Sequence, residues 1–322
     1  MKLWKRIAAM VLASLLALGT LAGCGGKTGD NSAASEGGKY KIGVVLKSLA
    51  NPFYVTMADA IEAKGEELGV EIVLQAPEKE TDAEKQMQII ENLITQQVDA
   101  ILLTPNGSTE MAPAAKKCND AGIPIVIVDT RLDAAALEEN GATTASFIGS
   151  DNYFGGQLAA EEMKKAIGEG KVAILEGIGG QESSVNRVSG FTDKAKELGG
   201  LDIVASQPAD WDQEKGYTVF QNILQANPDI NGLFAANDMM ALGAVKAIED
   251  AGLEGKITVI GFDATDDAKE AIKAGKMLGS IAQSPADMGT TALTTALDFL
   301  EKGSCEEDIA VEVYMLAADA IE

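Results

Sequence analysis

Short runs of apolar, β-branched residues alternate with longer stretches whose apolar positions recur every three or four residues, from about residue 41 to the C-terminal end. The runs predict strands at 41–46, 70–75, 99–104, 123–128, 145–149, 171–176, 201–206, 231–236, 257–262, 278–282 and 309–315. The stretches between them predict helices at 53–68, 82–96, 109–121, 155–168, 183–198, 213–226, 238–251, 266–274 and 286–302. Runs such as Ile123 to Val128 show no polar alternation, so both strand faces should be covered, as in parallel sheets. Strand-helix alternation then predicts right-handed crossovers. So many strands fit two sheets better than one. The expected fold class is α/β, with two doubly wound parallel-sheet domains. The chain also reads as two similar halves, about 41–150 and 171–263, each with polar residues just after its strand ends.

The first residues follow a different pattern. Lys2, Lys5 and Arg6 precede an apolar run, Ile7 to Leu18, too short for a stable membrane span. Leu21-Ala22-Gly23-Cys24 then resembles a bacterial lipobox, which predicts cleavage before Cys24 and a lipid on its thiol. Residues 24–39, rich in Gly, Ser and small polar residues, predict a flexible tether. The expectation is an extracytoplasmic body anchored to the cell membrane by lipid. Net charge is −23, and residues 1–23 hold three positive charges and no negative one, so cleavage leaves −26. Phosphates would be repelled, which argues against nucleic acid as a partner.

Chemistry-bearing residues gather where strands hand over to helices, the usual ligand position in open α/β sheets. Lys47 to Tyr54 follows the first run; Asn51 there is a candidate N-cap and Pro52 a first helical residue. Phe53 and Tyr54 are adjacent and cannot both face one core stripe, so at least one should face a cleft. Asp129 and Arg131 follow the fourth run. Arg187, Trp211, Asn237, Asp263 and Gln283 occupy equivalent junctions in the second half, although Asn237 could also serve simply as a helix cap. Carboxylates, amides and guanidinium forks suit a sugar, whose hydroxyls both donate and accept. Flat rings at Phe53, Tyr54 and Trp211 suit its C–H faces. Asp212 and Asp266 read as caps or surface charges.

Enzyme readings fare poorly. The chain has no His, which removes Ser-His and Cys-His nucleophile systems. Glu176-Gly-Ile-Gly-Gly180 lacks the full dinucleotide spacing, and no GxxxxGK[ST] is present. Asp263 to Asp267 lacks the Gly and terminal Glu of a calcium loop. No cofactor and no metal site is expected. Cys118 reads as a small core residue, with a Cys118–Cys305 disulfide as the alternative.

These positions fall within a series of motifs in fixed order: Asn51-Pro-Phe53, Ile123-Pro to Asp129, Gly149-Ser-Asp151-Asn, Arg187-Val-Ser-Gly-Phe191, Ala205-Ser-Gln-Pro-Ala-Asp-Trp211-Asp, Phe234-Ala-Ala-Asn237-Asp, Gly261-Phe-Asp263 and Ile281-Ala-Gln283. From Tyr40 to about the C-terminus they resemble the periplasmic sugar-binding proteins of the ribose/allose-binding class, the substrate-binding components of ABC importers. The resemblance implies a type I periplasmic binding protein fold with a three-segment hinge. It implies an N-terminal domain of 40–150 plus 284–312 and a C-terminal domain of 151–283 plus 313–322. It implies sugar contacts at Asn51, Phe53, Tyr54, Asp129, Arg187, Trp211, Asn237, Asp263 and Gln283. Lys47 stands where ribose binders carry a small hydroxyl residue and looks more like allose binders, as does Trp211. Thr130 replaces an Arg of the ribose pattern, and Arg131 follows one position later. The implied function is binding a monosaccharide, monomerically, and delivering it to an ABC permease. The alternative is a sensor that presents its closed form to a membrane receptor or kinase.

Overall fold

The computed structural model describes residues 40–321. The expected leader 1–23, Cys24 and the tether 24–39 lie outside the described residues. The first half comprises β1 (Lys41–Val45), α1 (Pro52–Leu68), β2 (Glu71–Gln75), α2 (Ala83–Thr95), β3 (Ala100–Leu103), α3 (Ala112–Asp120), β4 (Ile125–Val128), α4 (Ala134–Asn140) and β5 (Ser146–Ser150). The second comprises α5 (Asn152–Ile167), β6 (Gly170–Glu176), α6 (Glu182–Leu198), β7 (Leu201–Pro208), α7 (Gln213–Ala226), β8 (Gly232–Ala235), α8 (Asp238–Asp250), β9 (Thr258–Asp263), α9 (Asp266–Lys273) and β10 (Gly279–Ala282). The chain ends with α10 (Pro285–Lys302), β11 (Asp308–Val311) and β12 (Tyr314–Ala317).

Two six-stranded sheets result, in the orders β11-β5-β4-β3-β1-β2 and β12-β10-β9-β8-β6-β7. Neighbours are parallel throughout, except that β12 runs antiparallel to β10. Within each half the strands take the same second-first-third-fourth-fifth order, so the two halves share one doubly wound architecture. Such an order places a crevice at the carboxyl ends of the strands, beside the first strand of each half.

The uniform apolar runs have a direct physical cause. Ile42, Val44 and Leu46 feed one apolar cluster of the first sheet, while Val45 feeds the cluster on its other face. In β6, Ala173 and Leu175 face one cluster, and Val172 and Ile174 the other. With helices on both faces, the middle residues of a central strand are all buried and only its ends are partly exposed, so no polar residue alternates.

Three sequence expectations change. The run 309–315 is not one strand: β11 pairs with β5 in the first sheet, and β12 pairs with β10 in the second. Periodicity cannot reveal a change of sheet within one apolar run. Helix α4 was absent from the pattern because Ala134 to Asn140 carries a single large apolar residue, Leu137; Asp133 caps it by accepting from the Ala136 N–H. Helix α5 begins at Asn152 rather than 155, because Asp151 caps it and leaves Tyr153 and Phe154 partly exposed in its first turn. Cys118 and Cys305 are both free, and Cys118 is buried among apolar residues.

The chain passes between the sheets three times: after β5, after β10, and between β11 and β12. Glycines set one packing that matters for the site. A Cβ on Gly156 of α5 would collide with the Arg187 carbonyl, and one on Gly190 of α6 with that of Tyr153. Their absence lets the two helix backbones touch, which brings Arg187 of α6 over the sheet ends. Among the described residues no helix is long and apolar enough to cross a membrane, and no cluster of His, Cys, Asp or Glu could hold a metal ion.

Candidate ligand-binding site

The strand-helix junctions of the two halves face each other around a small polar chamber. The first half contributes Lys47, Asn51, Phe53, Tyr54, Glu80 and Asp129; the second contributes Ser183, Arg187, Trp211, Asn237 and Asp263.

In the first half, β1 ends and Asn51 starts α1, its side-chain oxygen accepting from the Phe53 N–H at 3.0 Å, with Pro52 in the first helical position. Phe53 and Tyr54 both reach the chamber and are both buried, their rings edge-on at 5.2 Å and 88°. Lys47 is 1% exposed. Its Nζ lies 3.2 Å from Asp129 Oδ2 and donates to Thr130 Oγ1 at 2.7 Å and Gln181 Oε1 at 3.4 Å. Tyr54 donates its hydroxyl to the same Asp129 oxygen at 3.1 Å. Burial would raise the Asp129 carboxyl, but the charges of Lys47 and Arg187 and the Thr130 hydroxyl outweigh it and hold the group below its ordinary range. Burial, seconded by Asp129, pushes the Tyr54 phenol well up, so it stays a donor.

In the second half, Arg187 donates to Asn152 Oδ1 and the Ala236 carbonyl, each at 2.8 Å, and reaches Asp263 Oδ1 at 3.5 Å. Its guanidinium lies 3.7 Å over Phe262 and 5.5 Å from the Trp211 ring centre. Burial keeps the Asp263 carboxyl well above its usual range against the pull of Arg187. Trp211 donates Nε1–H to Gln181 Oε1 at 2.7 Å, and a Cβ on Gly177 would collide with its ring. Asn237 does two things at once. It caps α8, accepting from the Met240 N–H at 2.9 Å, and it lines the chamber. Asp212 caps α7 as expected, and Asp266 pairs with Lys269 at the surface.

Asp129, Trp211 and Asp263 all have positive φ, at 68°, 63° and 109°. For residues other than Gly such conformations cost about 1–3 kcal/mol each and cluster where function requires them. Here they turn side chains back over the strand ends.

Nine of the eleven residues picked from the sequence therefore line one chamber. Gln283 stands just behind, donating to Asp263 Oδ1 at 2.8 Å. Arg131 does not enter it: its guanidinium turns outward to Asp308, 2.8 Å away, and lies 3.7 Å over Phe147. Position 130, not 131, points inward, so an Arg one residue later faces the other side. Sequence reasoning missed Glu80, which rises from the loop between β2 and α2, and Ser183 in the first turn of α6. Ser183 follows a strand-end turn like the residues that were found. Glu80 sits amid other charged loop residues, where nothing marks it.

Contacts also join the halves directly. Gln181 donates Nε2–H to the Asn106 carbonyl at 2.7 Å, and the Glu182 N–H donates to Ser108 Oγ at 2.9 Å. The Thr130 and Ser183 hydroxyls lie 3.1 Å apart.

Two matching parallel α/β lobes with a polar chamber between them define a two-lobed binding protein of the type I periplasmic class. A family pattern described as periplasmic binding protein domain matches residues 42–304, and the chain belongs to that family. It is 36% identical over 262 residues to the D-allose-binding periplasmic protein of Escherichia coli, covering 81% of this chain and 84% of that one. It is 36% identical over 273 residues to the ribose import binding protein RbsB of Bacillus subtilis, covering 84% and 85%. A solved ABC transporter periplasmic solute binding protein from Actinobacillus succinogenes, with bound D-allose, is 40% identical with a TM-score of 0.84, covering 88% and 99%. A solute binding protein from Bacillus halodurans with bound myo-inositol is 30% identical with a TM-score of 0.81, covering 89% and 97%. These relatives are binding proteins of transport systems, not enzymes.

Proposed function

We propose that the chain is the sugar-binding component of an ABC importer: a monomeric, extracytoplasmic protein that closes on one neutral monosaccharide or polyol and delivers it to a permease. The observation that carries this reading is the chamber itself. Its walls combine two buried carboxylate–cation pairs, Lys47–Asp129 and Arg187–Asp263, with amides and three aromatic side chains. The charged groups can each serve adjacent hydroxyls, and Phe53, Tyr54 and Trp211 offer flat apolar surface. Ligand contact is assigned to Lys47, Asn51, Phe53, Tyr54, Asp129, Arg187, Trp211, Asn237 and Asp263, with Gln283 positioning Asp263.

The moving bodies on this reading are 40–150 plus 284–312 and 151–283 plus 313–322, hinged where the chain crosses. A sugar touching both halves biases the closed state by its extra contacts there. Attachment to the membrane is assigned to a lipid on Cys24 after removal of residues 1–23, with 24–39 as the tether. Partition of the mature protein into a detergent phase, lost in Cys24→Ser, tests that assignment. The transport role of the relatives favours delivery to a permease over presentation to a receptor or kinase.

A thermal-shift screen over D-allose, D-ribose, myo-inositol and other pentoses, hexoses and polyols tests the central reading. A ligand bound only by the native state raises the midpoint. At least one of these should do so, and Asp129→Ala, Arg187→Ala and Asp263→Ala should each lose the shift, because a buried partner is left unpaired. No shift with any sugar overturns the reading.

A further inference from the structure

The chamber wall contains one more carboxylate than it has cations. Asp129 is held by Lys47 at 3.2 Å and Asp263 by Arg187 at 3.5 Å. Glu80 has no such partner: among the described residues no Lys or Arg nitrogen forms an ion pair with it, and its one hydrogen bond comes from Asn51 Nδ2 to Oε1 at 3.0 Å. Asn51 is itself fixed as the cap of α1, so Glu80 is held in place through that amide. A carboxylate has about four acceptor sites, and one donor leaves most of them open.

Its position explains what could fill them. Glu80 lines the chamber and also a wider groove outside it, whose walls include Ser48, Glu78, Asp210, Trp211 and Glu214. It lies in the loop between β2 and α2 and borders both the chamber and that groove. Burial pushes its carboxyl up, although Lys47 and the Asn51 amide pull the other way. A group in that state gains from a further donor.

We infer that Glu80 is a specificity-determining residue whose carboxylate accepts a hydrogen bond from one hydroxyl of the bound sugar, at the corner of the chamber that faces the groove. The inference rests on the proposed sugar-binding function and names the contact that selects among sugars. Asp129 and Asp263 anchor any polyol of the right size through pairs that are already neutralised. Glu80 demands a donor at one ring position, and a ligand lacking it leaves the carboxylate short of a partner there.

Isothermal titration of the wild type and Glu80→Gln tests this, using whichever of D-allose, D-ribose and myo-inositol the wild type binds, together with its monodeoxy forms. The Gln keeps the length and can still accept from Asn51, but it loses the charge. The parent sugar should bind Glu80→Gln on the order of 10-fold or more weakly, as expected for a hydrogen bond to a charged group. One deoxy form should cost the wild type a similar factor and Glu80→Gln less than about twofold, the signature of a lost pairwise contact. The melting midpoint of ligand-free Glu80→Gln should equal or exceed that of the wild type, since a half-buried carboxylate without an ion-pair partner is removed.

Affinity of Glu80→Gln within twofold of wild type overturns the inference. So does a series in which every deoxy position costs both proteins equally, and so does a clear fall in the ligand-free midpoint, which would make Glu80 a structural support of Asn51. A wild type that binds none of the three sugars overturns the sugar-binding reading itself, and the inference falls with it.

Discussion

Lys47→Met isolates the contribution of the buried cation to the ligand-free protein. The Lys47 and Asp129 side chains are 2% and 4% exposed and 3.2 Å apart. Removing one partner of such a pair costs about 3–5 kcal/mol, because the other charge is left buried. The structure argues for the lower end, about 3 kcal/mol. Asp129 keeps the Tyr54 hydroxyl at 3.1 Å and the Thr130 hydroxyl at 2.8 Å, and Gln181 Oε1 keeps Trp211 Nε1. The sign of the pH dependence follows from the same contacts. In the wild type the Asp129 carboxyl lies below its ordinary value, so its stabilisation is full above that value and is lost only as pH falls further. Without Lys47, burial dominates and the carboxyl rises. The variant therefore regains stability as pH falls from 7 towards 5, and its deficit against the wild type shrinks. Urea unfolding followed by circular dichroism at both pH values measures this. Adding Asp129→Asn to Lys47→Met should recover most of the loss at pH 7. A deficit under about 1 kcal/mol that does not change with pH, with no recovery in the double variant, would refute the reasoning.

Three other outcomes follow from the structure. Asp238 is raised to about 6 by burial, and Asp263 is raised as well, so both favour the fold when protonated. Wild-type stability should therefore increase as pH falls from 7 to 5, with about 1 kcal/mol of the increase coming from Asp238 and removed by Asp238→Asn. A dependence untouched by that change would contradict the assignment. Gln181→Leu removes the amide that bridges Asn106, Lys47 and Trp211, so the ligand-free ensemble should open and small-angle scattering should report a larger radius of gyration than wild type; an unchanged radius would count against the bridge. Burial pushes the Cys118 thiol up to about 12, so native alkylation mapped by mass spectrometry should modify Cys305 and spare Cys118 until unfolding. Early labelling of Cys118 would contradict its placement.

Much of the fold was legible because burial on both faces of parallel strands leaves continuous apolar runs, and caps such as Asn51 and Asp212 mark where helices begin. The limits were physical as well. One run supplied β11 and β12 to different sheets, since strand pairing is a long-range property that local pattern does not carry. An alanine-rich turn hid α4. Most of the chamber was legible because ligands collect at strand ends, where polar and aromatic residues break the otherwise apolar runs, even though Asn51 and Asn237 also cap helices there. Arg131 misled because one residue of offset after a strand turns a side chain to the opposite side. Glu80 was invisible because it comes from a charged loop that only the folded chain brings over Asn51.

Trp211 is the one tryptophan among the described residues, and its ring lines the chamber. Its fluorescence therefore reports occupancy directly in protein from which residues 1–23, with Trp4, have been removed. Titration with D-allose, D-ribose and myo-inositol should give, for at least one of them, a saturable one-site change that is absent in Arg187→Ala. No change with any neutral monosaccharide or polyol, or a change that persists unaltered in Arg187→Ala, would contradict sugar binding in the chamber between the lobes.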